Sequence, residues 1–495
     1  MATLTCASRV VSGDHFIANA RVSSRQTFAV QSPIDGAPLG EAAAGDAATV
    51  ALAVTAAQSA FPAWATLGPQ GRGVRLRRLA DLIERDVEAL ALAETTNNGS
   101  LFEASRLRVM KRAAHNIRFF ADLAGSLAGP AWDTEAARAH NRVSYDPAGP
   151  TALITPWNAP LMLATWKVGP ALAAGNTVVL KPAEWTPITA SMLADLALEA
   201  GLPAGVFNVV QGLGAEAGAA LVAHPGIRRI SFTGSPATAR SIGVAAAANL
   251  TPVSFELGGK SPLIVCDDAD LELAVATSAG QYDNAGQVCL AGTRLLVQRS
   301  IHDTFLARLR ARIAEIRLGD PHDPQTHVGP LIHPRHLERV SGYVSRAVAA
   351  GARVVCGGRV SPALGGLYYE PTLLVDVPAG AEILREEVFG PVLTLQTFAD
   401  DDEAIQLANG TAYGLAGVVF TRDQARADRI SQALVAGTVW VNCFFVRDLS
   451  APFGGSRQSG IGREGGHWSF DFYCDVKNVV HRKGTFATAG GEAAP

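Results

Sequence analysis

Between residues 150 and 256, short β-rich runs alternate with Ala/Leu-rich segments of helical length, and this alternation constrains the fold more than any other feature. The strand candidates are Thr151–Thr155, Thr177–Lys181, Val206–Val210, Arg228–Phe232 and Pro252–Phe255. They recur roughly every 25 residues, the spacing of βαβ units in which a crossover helix returns the chain to a parallel neighbour. Ala190–Ala200 reads as one such helix, because Gly201 accepts a left-handed cap and Pro203 stops the run. A second βα series starts at Leu257, with strands at Ser261–Val265 and Arg294–Gln298 and a helix at Ile301–Ile316. It continues through Val354–Val355, Val392–Phe398, Val418–Thr421 and Thr438–Val441, while Ala47–Leu123 is mostly amphipathic helix. The expected class is α/β, with two parallel-sheet, Rossmann-like domains and no internal repeat.

On that scheme the polar residues fall at strand ends. Trp157-Asn158 follows the first strand, Lys181-Pro182-Ala183-Glu184 the second, Gly212 the third, Gly234-Ser235 the fourth and Glu256 the fifth. Open parallel sheets bind ligands beyond the carboxyl ends of their strands. Gly-rich turns before helices let phosphate oxygens reach backbone N–H groups and the positive helix end. Glu184 can accept hydrogen bonds from ribose hydroxyls, and Lys181 adds positive charge. Any one of these positions is equally well a loop shaped by turn chemistry; as a set they point to a ligand.

Cys289 lies in Asn284-Ala285-Gly286-Gln287-Val288-Cys289, and Glu256 in Glu256-Leu257-Gly258-Gly259-Lys260. A thiol and a carboxylate in two Gly-containing turns suggest a covalent nucleophile and a base. An isolated pair of this kind is more often a buried cysteine near a capping glutamate; the surrounding chain favours chemistry. Gly259-Lys260-Ser261 mimics the end of a phosphate-binding loop, but Ser254 occupies the required earlier glycine position. Gly212-Leu213-Gly214 mimics a dinucleotide fingerprint, yet Gly218 comes one residue late. The histidines, such as His115, His224 and His467, have no metal-ligand spacing, so no metal is expected.

With 495 residues, 48% hydrophobic and 18% charged, and a net charge of −3, the composition is that of an ordinary globular protein. It gives no cause to invoke nucleic acid or a membrane. The segment from Met1 to Phe16 lacks a signal-like apolar core, and no apolar run is long enough to span a bilayer. Six scattered cysteines without CxxC pairs fit free thiols in a reducing cytoplasm. The tail Ala487–Pro495 is small, polar and expected to be mobile.

Seven motifs in order make the chain resemble the aldehyde dehydrogenase superfamily along nearly its whole length. They are Pro156-Trp157-Asn158, Lys181-Pro182-Ala183-Glu184, Phe232-Thr233-Gly234-Ser235 and Glu256-Leu257-Gly258-Gly259-Lys260-Ser261-Pro262. Gly286-Gln287-Val288-Cys289, Glu386-Glu387-Val388-Phe389-Gly390-Pro391 and Pro452-Phe453-Gly454-Gly455 complete the set. The resemblance implies an NAD-binding domain over residues 1–125 and 148–256, and a catalytic domain over 257–452. It also implies a small β oligomerisation arm from 126–147 and 468–483, followed by a flexible tail, 484–495. A homodimer or homotetramer is implied with it.

Carried onto these positions, the family mechanism makes Cys289 the nucleophile and Asn158, with the Cys289 backbone N–H, the oxyanion donors. Glu256 is then the base that activates water to hydrolyse a thioester. Trp157, Lys181, Glu184, Gly212, Gly234, Ser235, Leu257, Glu387 and Phe389 are the implied NAD contacts, with Glu387 on the nicotinamide ribose and Ser235 on the pyrophosphate. Glu184 favours NAD over NADP, since a carboxylate repels the extra phosphate. Glu256 favours hydrolysis over acyl transfer to coenzyme A. Three departures stand out: Arg457 replaces a frequent Lys, Pro236-Ala237 replaces the usual Thr-Glu, and Asp283 replaces an aromatic residue. The Pro236-Ala237 change puts the pyrophosphate contact in doubt, and Asp283 would oppose an anionic substrate if it faced the tunnel.

Val446-Arg447-Asp448-Leu449, Gly460-Ile461-Gly462-Arg463-Glu464-Gly465-Gly466 and Arg112 before Asn116-Ile117-Arg118-Phe119-Phe120-Ala121 resemble the branch that oxidises hydroxymuconic semialdehydes. The branch implies that Arg112 and Arg447 clamp a substrate carboxylate, in an enzyme of aromatic-compound catabolism. The bland reading of both is arginines in surface or interface salt bridges. An aromatic or aliphatic aldehyde is the alternative substrate, with Ala159, Leu163, Trp166 and Phe445 lining a tunnel. A non-catalytic binding protein on the same scaffold is the alternative of another class; a retired scaffold has no chemical need for Cys289, Glu256 and Asn158 together.

Overall fold

The computed structural model describes residues 1–6 and 9–484, so the tail from 485 onward lies outside the described residues. Five parallel strands form the centre of an eight-stranded sheet, in the order Val253–Leu257, Arg229–Gly234, Thr151–Ile154, Val178–Lys181, Phe207–Val209. Each is almost wholly buried, as strands covered by helices on both faces must be. The expected strands stand within one or two residues of the observed ones, and the expected helix at Ala190 is Ile188–Glu199.

The chain leaves this sheet at Leu257 and enters a second, seven-stranded sheet at Pro262. Its order is Arg353–Cys356, Thr372–Val375, Val392–Phe398, Arg294–Gln298, Pro262–Val265, Ala416–Phe420, Thr438–Val441. All neighbours are parallel except the edge strand Arg353–Cys356. Gly258 sits in the crossing between the two sheets. A Cβ there would come within 2.0 Å of a Glu387 carboxylate oxygen, so glycine lets a loop of the second sheet reach the end of the first.

Two smaller sheets complete the molecule. Ala131–Thr134, Ala139–Pro147 and Cys474–Arg482 form a three-stranded antiparallel sheet, with the helix Gly466–Tyr473 just before its last strand. A four-stranded antiparallel sheet near the N-terminus, in the order Arg9–Ser12, Thr3–Cys6, Pro38–Ala43, Thr27–Gln31, was not anticipated from the sequence. After the second sheet the chain returns to the first: Gly460–Ile461 pairs antiparallel with Phe255 and Glu256. Among the described residues no single helix is long and apolar enough to cross a membrane. The helices Ala47–Thr66 and Gly68–Arg85 meet the combined length and composition requirement only as a pair, bent by 115°.

Candidate active site

The segment Gly280–Gly286 bends sharply ahead of Cys289, with Asn284 and Ala285 both left-handed at φ 52° and 55°. Two consecutive non-glycine residues in that region are uncommon and mark a loop held by its surroundings. Part of the holding comes from Asn158, which follows the strand Thr151–Ile154. Its Nδ2 donates to the Gln287 carbonyl at 2.9 Å, and Asn284 Nδ2 donates to the Asn158 carbonyl at 3.1 Å. The oxyanion candidate and the nucleophile loop, from different sheets, are thus bonded to each other. Cys289 is half-buried, and its own backbone N–H faces its sulfur.

Glu256 ends the strand Val253–Leu257 and is 5% exposed. Among the described residues neither of its carboxylate oxygens has a hydrogen-bond partner. Unmade hydrogen bonds of a buried carboxyl are costly, so they point to a site reserved for a ligand or water. Gly454 backs it closely, since a Cβ there would lie 2.8 Å from Oε1. Burial, then the nearby Glu464, holds the Glu256 carboxyl well above the usual carboxylate range, against the pull of Lys167, Arg447 and Arg463. Burial likewise pushes the Cys289 thiol up to about 12; Glu387 and Glu256 add to this, and Arg447 opposes it. Both shifts favour the protonated form of the group, because burial penalises the charged one.

Arg447 lies beside this pair. Its guanidinium carbon is 3.7 Å from the centre of the Phe453 ring and 5.3 Å from that of Trp166. Arg112 donates to the Arg447 carbonyl at 3.4 Å and to Asn116 Oδ1 at 3.1 Å. Within the chain, their partners among the described residues are backbone, amide and aromatic groups rather than carboxylates. Trp166 is 5% exposed and donates its indole N–H to Glu464. It is wedged between that carboxylate and Arg447. Phe445, left-handed at φ 60°, is 47% exposed and stands at the surface. Asp283 is exposed and lies in the field of Arg108 and His327.

The sequence offered no role for Glu464 or Lys167, which the structure places behind Glu256. Glu464 is 2% exposed and accepts from Lys167 Nζ at 2.8 Å and from the Ser231 hydroxyl at 3.0 Å. Lys167 is fully buried and also donates to Ser231, at 2.7 Å. A lysine inside the otherwise apolar helix Pro160–Ala174 was the signal that could have revealed the pair.

The remaining candidates line the carboxyl ends of the first sheet and the loop that meets it. Lys181 is buried and donates to Glu184 at 3.2 Å. Burial lowers its ammonium pKa, and Glu184 opposes that shift. Gly212 follows the strand Phe207–Val209, and Leu257 is 8% exposed at its strand end. Gly234 ends its strand, and Ser235 caps the helix Pro236–Ala247 by accepting from the Thr238 N–H at 3.2 Å. Pro236 at the first position has no N–H, and the cap takes another, so this helix end offers fewer donors than usual to a pyrophosphate. Glu387 accepts from the Gly259 N–H at 3.1 Å, and burial raises its carboxyl to about 7. Phe389, left-handed at φ 59°, meets the Trp157 ring edge-on at 5.3 Å. Two carboxylates for ribose hydroxyls, with a lysine and a helix N-terminus among the other strand ends, suit a dinucleotide. Among the described residues no cluster could hold a metal ion. Arg457 ties down the Asn409 and Thr411 carbonyls, each at 2.8 Å, a structural task.

Comparison with known proteins agrees with this geometry. The sequence profile of the aldehyde dehydrogenase family matches residues 20–479. The 2-hydroxymuconic semialdehyde dehydrogenase of Pseudomonas sp. (strain CF600) is 43% identical over 477 residues, spanning 94% of this chain and 98% of that protein. The 5-carboxymethyl-2-hydroxymuconate semialdehyde dehydrogenase of Escherichia coli is 42% identical over 463 residues, spanning 92% and 98%. Among solved structures, betaine aldehyde dehydrogenase from Staphylococcus aureus in complex with NAD+ superposes with a TM-score of 0.93 at 38% identity, over 96% of each chain.

Proposed function

The chain belongs to the aldehyde dehydrogenase family, and from that premise we propose that it oxidises a semialdehyde acid of aromatic-compound catabolism to the diacid, using NAD. Cys289, as thiolate, attacks the aldehyde carbon. The oxygen that gains the charge is held by the Asn158 amide and the Cys289 backbone N–H. Fixed donors of this kind are worth about 2.7–4 kcal/mol each in a transition state. Lys181, Glu184, Ser235, Glu387 and Phe389 would hold NAD, which would supply the hydride acceptor for the oxidation. The thioester left on Cys289 is then hydrolysed by water that gives its proton to Glu256.

The observation that carries the substrate class is Arg447, with Arg112 behind it: a cation without a carboxylate partner beside the nucleophile and base. A buried cation is costly without an anion, and a substrate carboxylate supplies one. The semialdehyde acids in the relatives' names carry such a group, whereas betaine aldehyde is a cation that this pocket would repel. The test is NADH formation from a panel of semialdehyde acids, benzaldehydes, aliphatic aldehydes and betaine aldehyde. Replacing Arg447 or Arg112 with Leu should cost a semialdehyde acid roughly tenfold to a hundredfold in kcat/KM. A neutral aldehyde of similar size should change little. Equal losses on both would assign the arginines to folding or subunit contacts, and a wild-type preference for benzaldehydes would defeat the clamp.

Glu184 and Lys181 are read as the adenine-ribose contact. Glu184→Gln should narrow the preference for NAD over NADP by removing a negative charge opposite the 2′-phosphate. Equal use of both cofactors by the unaltered enzyme would sink this assignment.

The domain boundaries proposed are those expected from the resemblance, with the three-stranded sheet as a subunit contact. Trp132, Val476 and Val480 are about half-exposed on it, apolar surface that a second copy would cover. A homodimer or homotetramer in the cytoplasm is the corresponding assembly. All six cysteines are unpaired, as a reducing compartment requires.

A further inference from the structure

Glu94 is a buried carboxylate for which the chemistry above has no use. It is 1% exposed on the helix Val87–Asn98, and burial raises its carboxyl to about 7, against hydrogen bonds from Leu161 and Thr189. Its Oε2 accepts from the Leu161 backbone N–H at 3.0 Å and from the Thr189 hydroxyl at 3.4 Å. Leu161 belongs to the first turn of the helix Pro160–Ala174, whose own N-cap residue, Ala159, provides no side-chain cap. The carboxylate of a distant helix therefore takes the place of the missing cap, at the end where negative charge is favoured.

Four residues on from Glu94, and so on the same helix face, is Asn98, 3% exposed. Its Nδ2 donates to the Trp157 carbonyl at 3.4 Å. One helix face thus grips the segment Trp157–Leu161 at both ends, and Asn158 lies between the two grips. Asn97 of the same helix holds the next strand-end loop, donating to the Trp185 carbonyl at 3.0 Å and accepting from the Ile188 N–H at 3.3 Å.

We propose that Glu94, braced by Asn98, is a positioning residue for the reaction: it sets where the Asn158 side-chain amide meets the oxygen of the substrate. The proposal rests on the reading of Asn158 as the oxyanion donor. Misplacing a catalytic group by about 1 Å can cost on the order of a hundredfold in rate, far more than a lost surface bond. An aspartate at this position keeps the charge but falls one methylene short of the Leu161 N–H. A glutamine keeps both the length and an acceptor oxygen.

The test is a double-mutant cycle read on the single-turnover rate of NADH formation, with NAD affinity and thermal midpoint measured on each protein. Glu94→Asp should lose roughly tenfold to a hundredfold in that rate with NAD affinity unchanged, and Glu94→Gln should restore it to within about threefold of wild type. In an Asn158→Ala background Glu94→Asp should cost no more than about twofold, because the group it positions is gone. The same loss in both backgrounds, or a glutamine as impaired as the aspartate, overturns the positioning role and leaves the oxyanion reading intact. An Asn158→Ala enzyme at full speed overturns the oxyanion reading and this inference with it. If Glu94→Asp does not fold, Asn98→Ala releases the other grip and enters the same cycle, with the same non-additivity expected.

Discussion

Cys289→Ala is expected to lower aldehyde oxidation by about four to six orders of magnitude, the loss that follows removal of a nucleophile from an enzyme with covalent catalysis. NAD affinity should remain, because no cofactor candidate depends on the thiol. The remaining partially exposed thiols are Cys356 and Cys443, both packed against the core of the second sheet. Turnover near the wild-type rate in the alanine variant would end the assignment, and Cys443→Ala would be the next protein to measure.

The second large effect is on the other half of the reaction. Glu256→Gln leaves Cys289 and Asn158 in place, so acyl-enzyme should form and then stall. The expected trace is a burst of one NADH per site, followed by a steady state slower by about two to four orders of magnitude. Its pH dependence has a definite sign. Glu256 accepts a proton only when ionised, and burial and Glu464 raise its carboxyl, so steady-state turnover of the wild type should climb as pH rises through that raised value. In the glutamine variant that climb should vanish. An unchanged steady-state rate would remove Glu256 from the role of base.

The parallel strands were legible in the sequence because a strand covered on both faces is a continuous apolar run closed by turn residues, as in Val178–Lys181 and Ala416–Phe420. Their spacing then placed Asn158, Glu184, Ser235 and Glu256 at one end of one sheet. The N-terminal antiparallel sheet was not legible, because strands such as Thr27–Gln31 are short, partly exposed and mixed in composition. Thr372–Val375 was overlooked because four residues between Pro371 and Asp376 carry little periodicity. The Glu464–Lys167–Ser231 group was beyond a local reading. Its members come from three separate segments, and only the fold makes them neighbours. The same holds for Glu94, which looks from sequence like any helical glutamate until Leu161 is seen against it.

The return of the chain to its first sheet has a consequence for how the enzyme is made. Gly460 pairs with Glu256, Glu464 bonds to Lys167 across 297 residues, and Gly454 closes on the Glu256 carboxylate. At a synthesis rate of about 5–20 residues per second, Lys167 waits on the order of tens of seconds for its partner. During that interval the nascent polypeptide has its thiol but not the segment that backs the base. The reactive centre is therefore completed only once residues 454–464 have been made, and a product truncated before them carries its cysteine without the segment that backs the base.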